Sequence, residues 1–359
     1  MMPTSDLTPP ARAGRAGPML RARAPLRLGL AGGGTDVSPF CDLHGGYVLN
    51  ATIDLYAYAS VELLEEPVIR FEGADQDATW EGSPDDLDAV DPRLALHRGV
   101  YRRIVRDFCG GRPFGVRLVT HSDAPPGSGL GASSTLVVAM LHGFVEAFNL
   151  PLGEYELAHL AYEIERIDLD LAGGKQDQYS ASFGGFNFME FGGNGHVLVN
   201  PLRMKPWIVS ELESSLLLFF TGVSRESAHI IDQQVRNIRE GAKAPIEALF
   251  AVKEEAVRMK AALLKGDFDS FVESMRASWV SKKRTASSIS NAHIERIYDD
   301  AMQAGARAGK VSGAGGGGFM MFFVAPEAKP RVARALASHA GQVFSCHFTK
   351  SGSQAWRVR

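Results

Sequence analysis

Three stretches built mainly of small residues, AGGGTD at Ala31 to Asp36, PPGSGLGASS at Pro125 to Ser134 and SGAGGGG at Ser312 to Gly318, constrain this chain most. The middle one follows the alternating run Phe114 to Thr120, which reads as a strand. It opens the apolar run Ser134 to Phe148, which reads as a helix. A glycine loop at a helix N-terminus presents unpaired backbone N–H groups and the positive end of the helix dipole, which together make a phosphate cradle. The pattern implies a nucleotide.

The commoner phosphate binders do not fit. A Walker loop needs Lys followed by Ser or Thr after its glycines, whereas Gly131 is followed by Ala132, Ser133 and Ser134. Gly313 to Gly318 matches G-x-G-x-x-G formally, but it precedes Phe319 to Val324, which reads as a buried strand rather than a helix. That is the wrong context for a dinucleotide fold.

The chain has 359 residues, 45% of them hydrophobic, which is enough for two domains sharing a cleft or one large domain. Net charge is −3 and no basic run is dense enough to follow a nucleic-acid backbone, so a small-molecule partner is expected and a nucleic acid is not. Cys41, Cys109 and Cys346 lack metal-ligand spacing, which points to buried thiols in a reducing compartment, the cytoplasm. Residues 1–19 read as a disordered tail, with no apolar stretch long enough for a membrane span.

From Leu20 to about Glu62 the pattern is strand, glycine loop, strand. Glu72 to Asp91 is polar and acidic and reads as loops or an excursion, and Leu94 to Cys109 has helical spacing. The first domain is expected over residues 20–202. Over 203–359 helices dominate, at Ser227 to Arg239, Pro245 to Leu264, Phe268 to Ala286 and His293 to Ala308. A strand, helix, strand order then closes the chain at Val311 to Val324, Pro330 to Ala340 and Gln342 to Phe348.

Taken together, Arg23-Ala-Pro-Leu-Arg-Leu-Gly-Leu-Ala-Gly-Gly-Gly-Thr-Asp36, the loop Pro125 to Ser134, and Lys310-Val-Ser-Gly-Ala-Gly-Gly-Gly-Gly-Phe319 resemble the three motifs of the GHMP kinases, in order and spacing. The resemblance implies an α+β, two-domain fold. Its N-terminal domain would be like ribosomal protein S5 domain 2 and its C-terminal domain ferredoxin-like, with ATP and substrate between them. A homodimer is left open.

The same resemblance implies roles for residues. Pro126, Gly127, Ser128, Gly129, Leu130, Gly131, Ala132, Ser133 and Ser134 would bind ATP, and Asp177 in Gly173-Gly-Lys-Gln-Asp-Gln-Tyr179 would be the base that takes or orients the acceptor proton. Arg27 resembles the cationic partner of that aspartate. Ser133, Ser134 and Glu165, twelve positions before Asp177, resemble the magnesium ligands, with Glu163 as the rival to Glu165. Without the family match, Asp177 would read as a turn-stabilising Asp after glycines.

Galactokinases carry Glu-His where this chain has Gly33 and Gly34, a departure that favours a longer or charged sugar. Further matches at His44-Gly-Gly-Tyr47, Phe183 to Asn187, Thr221 to Arg225 and Trp279 to Lys283 resemble the branch acting on D-glycero-D-manno-heptose 7-phosphate. That branch phosphorylates the anomeric hydroxyl and feeds nucleotide-activated heptose for capsule, surface-layer glycan or lipopolysaccharide. Gly33, Gly34, Thr35, Asp36, His44, Gly174, Lys175, Gln176, Gly315 and Gly316 would then contact the acceptor. Lys175, Arg225, Lys282 and Lys283 would meet its phosphate. The plainer alternatives are a loop cap for Asp36, a turn histidine for His44 and a solvated helix face for the lysine pair. Two other functions stay open, a kinase for fucose or another neutral hexose and a non-catalytic sugar and ATP sensor.

Overall fold

The computed structural model of the protein describes residues 19–223 and 227–358. Along the first half run β1 (Leu20–Ala31), α1 (Phe40–His44), β2 (Gly46–Leu64), β3 (Ile69–Gly73), β4 (Ala78–Gly82), α2 (Ala95–Phe108) and β5 (Gly115–Ser122). They are followed by α3 (Ala132–Phe148), α4 (Glu154–Glu163), α5 (Gln176–Phe183), β6 (Phe186–Phe191) and β7 (Val197–Pro201). The second half contains α6 (Pro206–Ser215), β8 (Leu216–Phe220), α7 (Ser227–Arg239), α8 (Lys243–Lys265), α9 (Phe268–Lys283) and α10 (Ala292–Gln303). It ends with β9 (Ala306–Val311), β10 (Phe319–Val324), α11 (Lys329–Leu336), β11 (Gln342–Phe344) and β12 (Gln354–Arg357).

These strands form two sheets, one in the order β12-β1-β2-β5-β3-β4 with β6 and β7 branching from β2, the other in the order β11-β8-β10-β9. The branch follows from the length of β2. Gly46 to Ala51 pair with β6, whereas Ala57 to Leu64 pair with β5. The two sheets, with the helices around them, make the α+β fold that the resemblance implies.

One face of β1 supplies Leu26, Leu28 and Leu30 to a core shared with Met259 and Leu263 of α8, Phe271 of α9, and Leu218 and Phe319 of the second sheet. Alternation along the strand turns Arg27 and Gly29 the other way. Burying these eight aliphatic and aromatic side chains contributes on the order of 15 kcal/mol before chain entropy is set against it. The shared core holds the two halves together beneath the cleft they enclose.

Several expectations are corrected. Glu72 to Asp91 is not all loop: Ile69–Gly73 runs parallel to β5 and pairs antiparallel with Ala78–Gly82, with 3₁₀ turns after it. The helix expected over His293 to Ala308 stops at Gln303, and Ala306–Val311 is a strand. Its alanines favour a helix locally, but pairing with β10 and the seating of Gly309 beneath the Phe322 ring override that propensity. Within residues 203–359, β12 returns to pair with Leu20 to Arg23 and covers the otherwise open edge of β1.

Candidate active site

All three glycine stretches meet at one place. The amides of Ala132, Ser133 and Ser134 precede the first bond of the α3 ladder, Thr135 N–H to Gly131 O at 3.0 Å, and so face out at the positive end of a 17-residue buried helix. Gly127, Gly129 and Gly131 have φ of 71°, 78° and 81°, which only glycine adopts cheaply. The third stretch packs against this loop so closely that a Cβ on Gly313 would stand 2.6 Å from Gly129 O. Phe319 N–H also donates to Ser128 O at 2.8 Å, so the second sheet braces the phosphate loop. Gly127 to Gly129 and Gly131 to Ser134 line the cleft. Leu130 instead is buried, its carbonyl accepting from Arg27 N–H at 3.1 Å, and Pro126 is exposed at the loop entrance.

Arg27 links this loop to Asp177. Its guanidinium holds Asp177 Oδ1 through Nε and Nη2, each at 2.7 Å, and donates through Nη1 to Gly129 O at 2.6 Å. Arg27 is 3% exposed whereas the Asp177 side chain is 23% exposed, so the carboxylate keeps access to the cleft while its partner is fixed. A Cβ on Gly131 would lie 3.1 Å from Asp177 Cγ. The base candidate is therefore adjacent to the amides that would hold phosphate.

Glu163 and Glu165, at the start of a π-helical turn over Ile164–Asp168, face different partners. Glu163 pairs with Arg103 at 2.7 Å on another face, while Glu165, 1% exposed, accepts from the Ser133 hydroxyl at 3.0 Å. Gln178 Nε2 donates to Glu165 Oε2 at 2.6 Å and to Ser134 Oγ at 3.1 Å, holding both in place. A hydroxyl and a carboxylate beside open amides fit magnesium, which prefers few protein oxygens plus phosphate and water. Among the described residues no cluster of three His, Cys, Asp or Glu offers a richer metal site.

On the other side of Asp177 the expected acceptor contacts are redistributed. Asp36, 1% exposed, has its acceptor positions filled by the protein. Gly34 N–H and Gln176 Nε2 donate to Oδ1 at 3.0 and 3.1 Å, and Lys175 N–H and Gln176 N–H donate to Oδ2 at 3.0 and 3.1 Å. It caps α5 from a distance and thereby sets Asp177. Thr35 is fully buried, its hydroxyl accepting from Tyr47 N–H at 3.0 Å and facing Gly32 O and Tyr47 O, so it fastens the glycine loop rather than a ligand. Gly174 lines the cleft and leaves room for the Asp36 carboxylate. Gln176 also lines it, with its buried Oε1 lacking a hydrogen-bond partner.

The remaining expectations are mostly overturned by side-chain direction. His44 is exposed at the end of α1, its ring 5.0 Å from that of Phe250, outside the cleft. Gly315 and Gly316 fold against Ile289, with Gly316 N–H donating to Ile289 O at 2.8 Å, and leave Gly313 and Ala314 as the wall. Lys175 turns to Asp42 at 3.1 Å, and Lys283 to Glu295 at 3.1 Å. Arg225 lies outside the described residues.

Lys282 does enter. Its Nζ donates to Gly33 O at 2.7 Å, and a Cβ on Gly34 would approach it to 3.0 Å. The side chains missing at Gly33 and Gly34 thus leave space that an ammonium occupies. Among the described residues it has no carboxylate partner within ion-pair distance, and burial pushes its pKa down to about 8, against the pull of Asp36 and with the push of Arg27.

Sequence reasoning missed Lys310, which lines the same cleft and donates to Gly29 O. Its place at the head of the third glycine motif was the available signal. It also missed Arg166, which lines the cleft, and Gln178; both flank residues already singled out. The cleft has a cavity volume of about 170 Å³ and opens to solvent between the two halves.

Comparison with known proteins places these features in context. Residues 95–185 match the model of the GHMP kinases N terminal domain, and residues 259–342 that of the GHMP kinases C terminal domain. The chain is 48% identical over 339 residues to the D-glycero-alpha-D-manno-heptose 7-phosphate kinase of Campylobacter jejuni subsp. jejuni serotype O:2, covering 94% of this chain and 99% of that one. A crystal structure of a D-glycero-D-manno-heptose 1-phosphate kinase from Bacteroides thetaiotaomicron superposes with a TM-score of 0.80 at 45% identity, covering 95% and 99% of the two chains. Lactococcus lactis galactokinase complexed with galactose shares the fold, with a TM-score of 0.73 at 17% identity over 94% and 95%.

Proposed function

The chain belongs to the GHMP kinase family and is a sugar-phosphate kinase, and on that premise we propose that it transfers the γ-phosphoryl group of ATP to the anomeric hydroxyl of D-glycero-D-manno-heptose 7-phosphate. The observation that carries the choice of acceptor is Lys282, a buried ammonium without a carboxylate partner among the described residues, set over Gly33 and Gly34 beside the Arg27 and Asp177 pair. Leaving such a charge buried is unfavourable until an anion joins it. A sugar bearing a phosphate away from its reacting hydroxyl supplies one.

In this reading the ATP phosphates lie on the amides of Ala132 to Ser134, and the anomeric hydroxyl lies against Asp177. The oxygen–phosphorus bond forms at O1 as the bond from the γ-phosphorus to the β,γ-bridging oxygen breaks. Asp177 receives the hydroxyl proton and later yields it to solvent. Arg27 keeps Asp177 aimed and offers positive charge beside the phosphate loop. Gln176 Oε1 is free to accept from a second sugar hydroxyl. Ser133 and Glu165 would hold magnesium, which when bound neutralises phosphate charge. Three buried free thiols agree with a reducing cytoplasm, and no helix among the described residues is long and apolar enough to cross a membrane.

The test is coupled ADP release with ATP, magnesium and the heptose 7-phosphate. It is run beside unphosphorylated heptose, heptose 1-phosphate, fucose, free hexoses and mevalonate. Preference for the 7-phosphate is expected, with Asp177→Asn lowering kcat by roughly a hundredfold or more. Preference for the 1-phosphate, which the name of the Bacteroides relative carries, would move the transfer to the other end of the sugar. Preference for a neutral sugar would remove the phosphate-binding role, and binding of both ligands without ADP release would make the protein a sensor.

A further inference from the structure

Among the described residues, Lys310 is the buried cation lining the cleft that the mechanism above leaves unused. It lies on β9, is 7% exposed and spends a single N–H on Gly29 O, which leaves two ammonium donors without an acceptor among the described residues. Each charged group near it is accounted for: Arg27 of β1 is committed to Asp177 of α5, Asp36 is saturated by protein donors, and Lys282 of α9 carries charge of the same sign. Gln176 lies beside the two glycines whose carbonyls these lysines hold. A Cβ on Gly29 would lie 3.9 Å from its Oε1 and one on Gly33 3.6 Å from its Nε2, and the carbonyls of Gly29 and Gly33 are those on which Lys310 and Lys282 rest. Both lysines thus rest on glycines that lie beside Gln176, while Gly131 and the open amides of α3 adjoin Asp177.

We propose that Lys310 is the second cation of the acceptor-phosphate seat, closing together with Lys282 on the phosphate group of the incoming sugar phosphate. The inference rests on the sugar-phosphate reading above. A phosphate dianion between two ammonium groups forms charge-assisted hydrogen bonds with both, and removes the repulsion between them. Burial, with Lys282 and Arg27 nearby, pushes the pKa of Lys310 down to about 7 in the free protein, so binding of the dianion draws a proton onto it from solvent.

The experiment compares wild type, Lys310→Met and Lys310→Arg. The kcat/KM ratio for phosphorylated over unphosphorylated heptose is expected to fall roughly ten- to hundredfold in Lys310→Met, through the acceptor KM, and to be largely kept in Lys310→Arg. Calorimetric titration of wild type with heptose 7-phosphate at pH 8, in two buffers of different ionisation enthalpy, is expected to show proton uptake that falls in both variants. If Lys310→Met does not fold, Lys310→Arg and the wild-type titration still decide. A wild type that prefers heptose 7-phosphate and takes up no proton, or a Lys310→Met that keeps the preference while kcat falls alike on both acceptors, overturns the inference and leaves the sugar-phosphate reading standing. A wild type without the preference overturns both.

Discussion

Replacing Asp36 by Asn separates a structural role from a ligand role at one position. The Asp36 carboxylate accepts from four donors, two on each oxygen. Asn keeps one acceptor oxygen and puts an NH₂ in place of the other. If the NH₂ faces Lys175 and Gln176, two backbone N–H groups at the start of α5 lose their acceptor. If it faces Gly34 instead, the Gln176 amide can flip to accept from it, and only Gly34 N–H is stranded. The second arrangement costs less: about 1–3 kcal/mol for the orphaned donor and about 0.3–1 kcal/mol for the negative charge lost at the α5 N-terminus.

A total near 3 kcal/mol follows. With about 2.1 cal/mol/K of unfolding entropy per residue over 359 residues, the apparent Tm should fall by about 4 °C. Because Asp177 lies one residue beyond the capped amides, kcat should fall as well. Scanning calorimetry and coupled ADP release read the two effects. An Asp36→Asn enzyme with unchanged Tm and kcat, altered only in acceptor KM, would refute the capping argument and make Asp36 a sugar ligand.

Two further outcomes are expected. Ser133→Ala removes the hydroxyl beside Glu165 and should raise the magnesium concentration for half-maximal activity roughly tenfold or more, measured by titrating magnesium at saturating ATP; an unchanged titration would exclude Ser133 as a ligand. In the absence of ligands, Lys282 has a folded pKa of about 8 and Lys310 one of about 7, both below the unfolded value near 10.4. The unfolded chain then binds more protons, so these groups make stability rise from about pH 7 to pH 10.5. Lys282→Met removes most of one contribution, and its Tm relative to wild type should be highest near pH 7 and decline toward pH 10; a flat difference would contradict the buried-cation description.

Motif residues and their partners were legible to different degrees. The glycine loop could be named from local backbone conformation, whereas Arg27, Asp177 and the Ser133 and Glu165 pair could be named because they stand in motifs that resemble those of the GHMP kinases. Lys175 and Lys283 were named on the same grounds, yet each turns to a carboxylate, Asp42 or Glu295, outside the reacting centre. Lys282 and Lys283 are adjacent on α9 and differ by about 100° in direction, so the helix can send only one of them inward. Strand β9 was missed for a related reason, since its alanines and glycine have no strand preference until β10 lies alongside.

What the sequence determined by itself was the set of turns that only glycine can make, the helix dipole that follows Gly131, and the kinds of side chain available to the site. These rest on φ, ψ and periodicity, which are properties of neighbouring residues. What only the tertiary structure decided was which charges remain unpaired. Asp36 is saturated and Lys282 and Lys310 are left with carbonyls, because β1, α5, α9 and β9, far apart in the chain, converge on one cleft. Electrostatic interactions depend on distance in space and on burial, and neither is set by separation along the sequence.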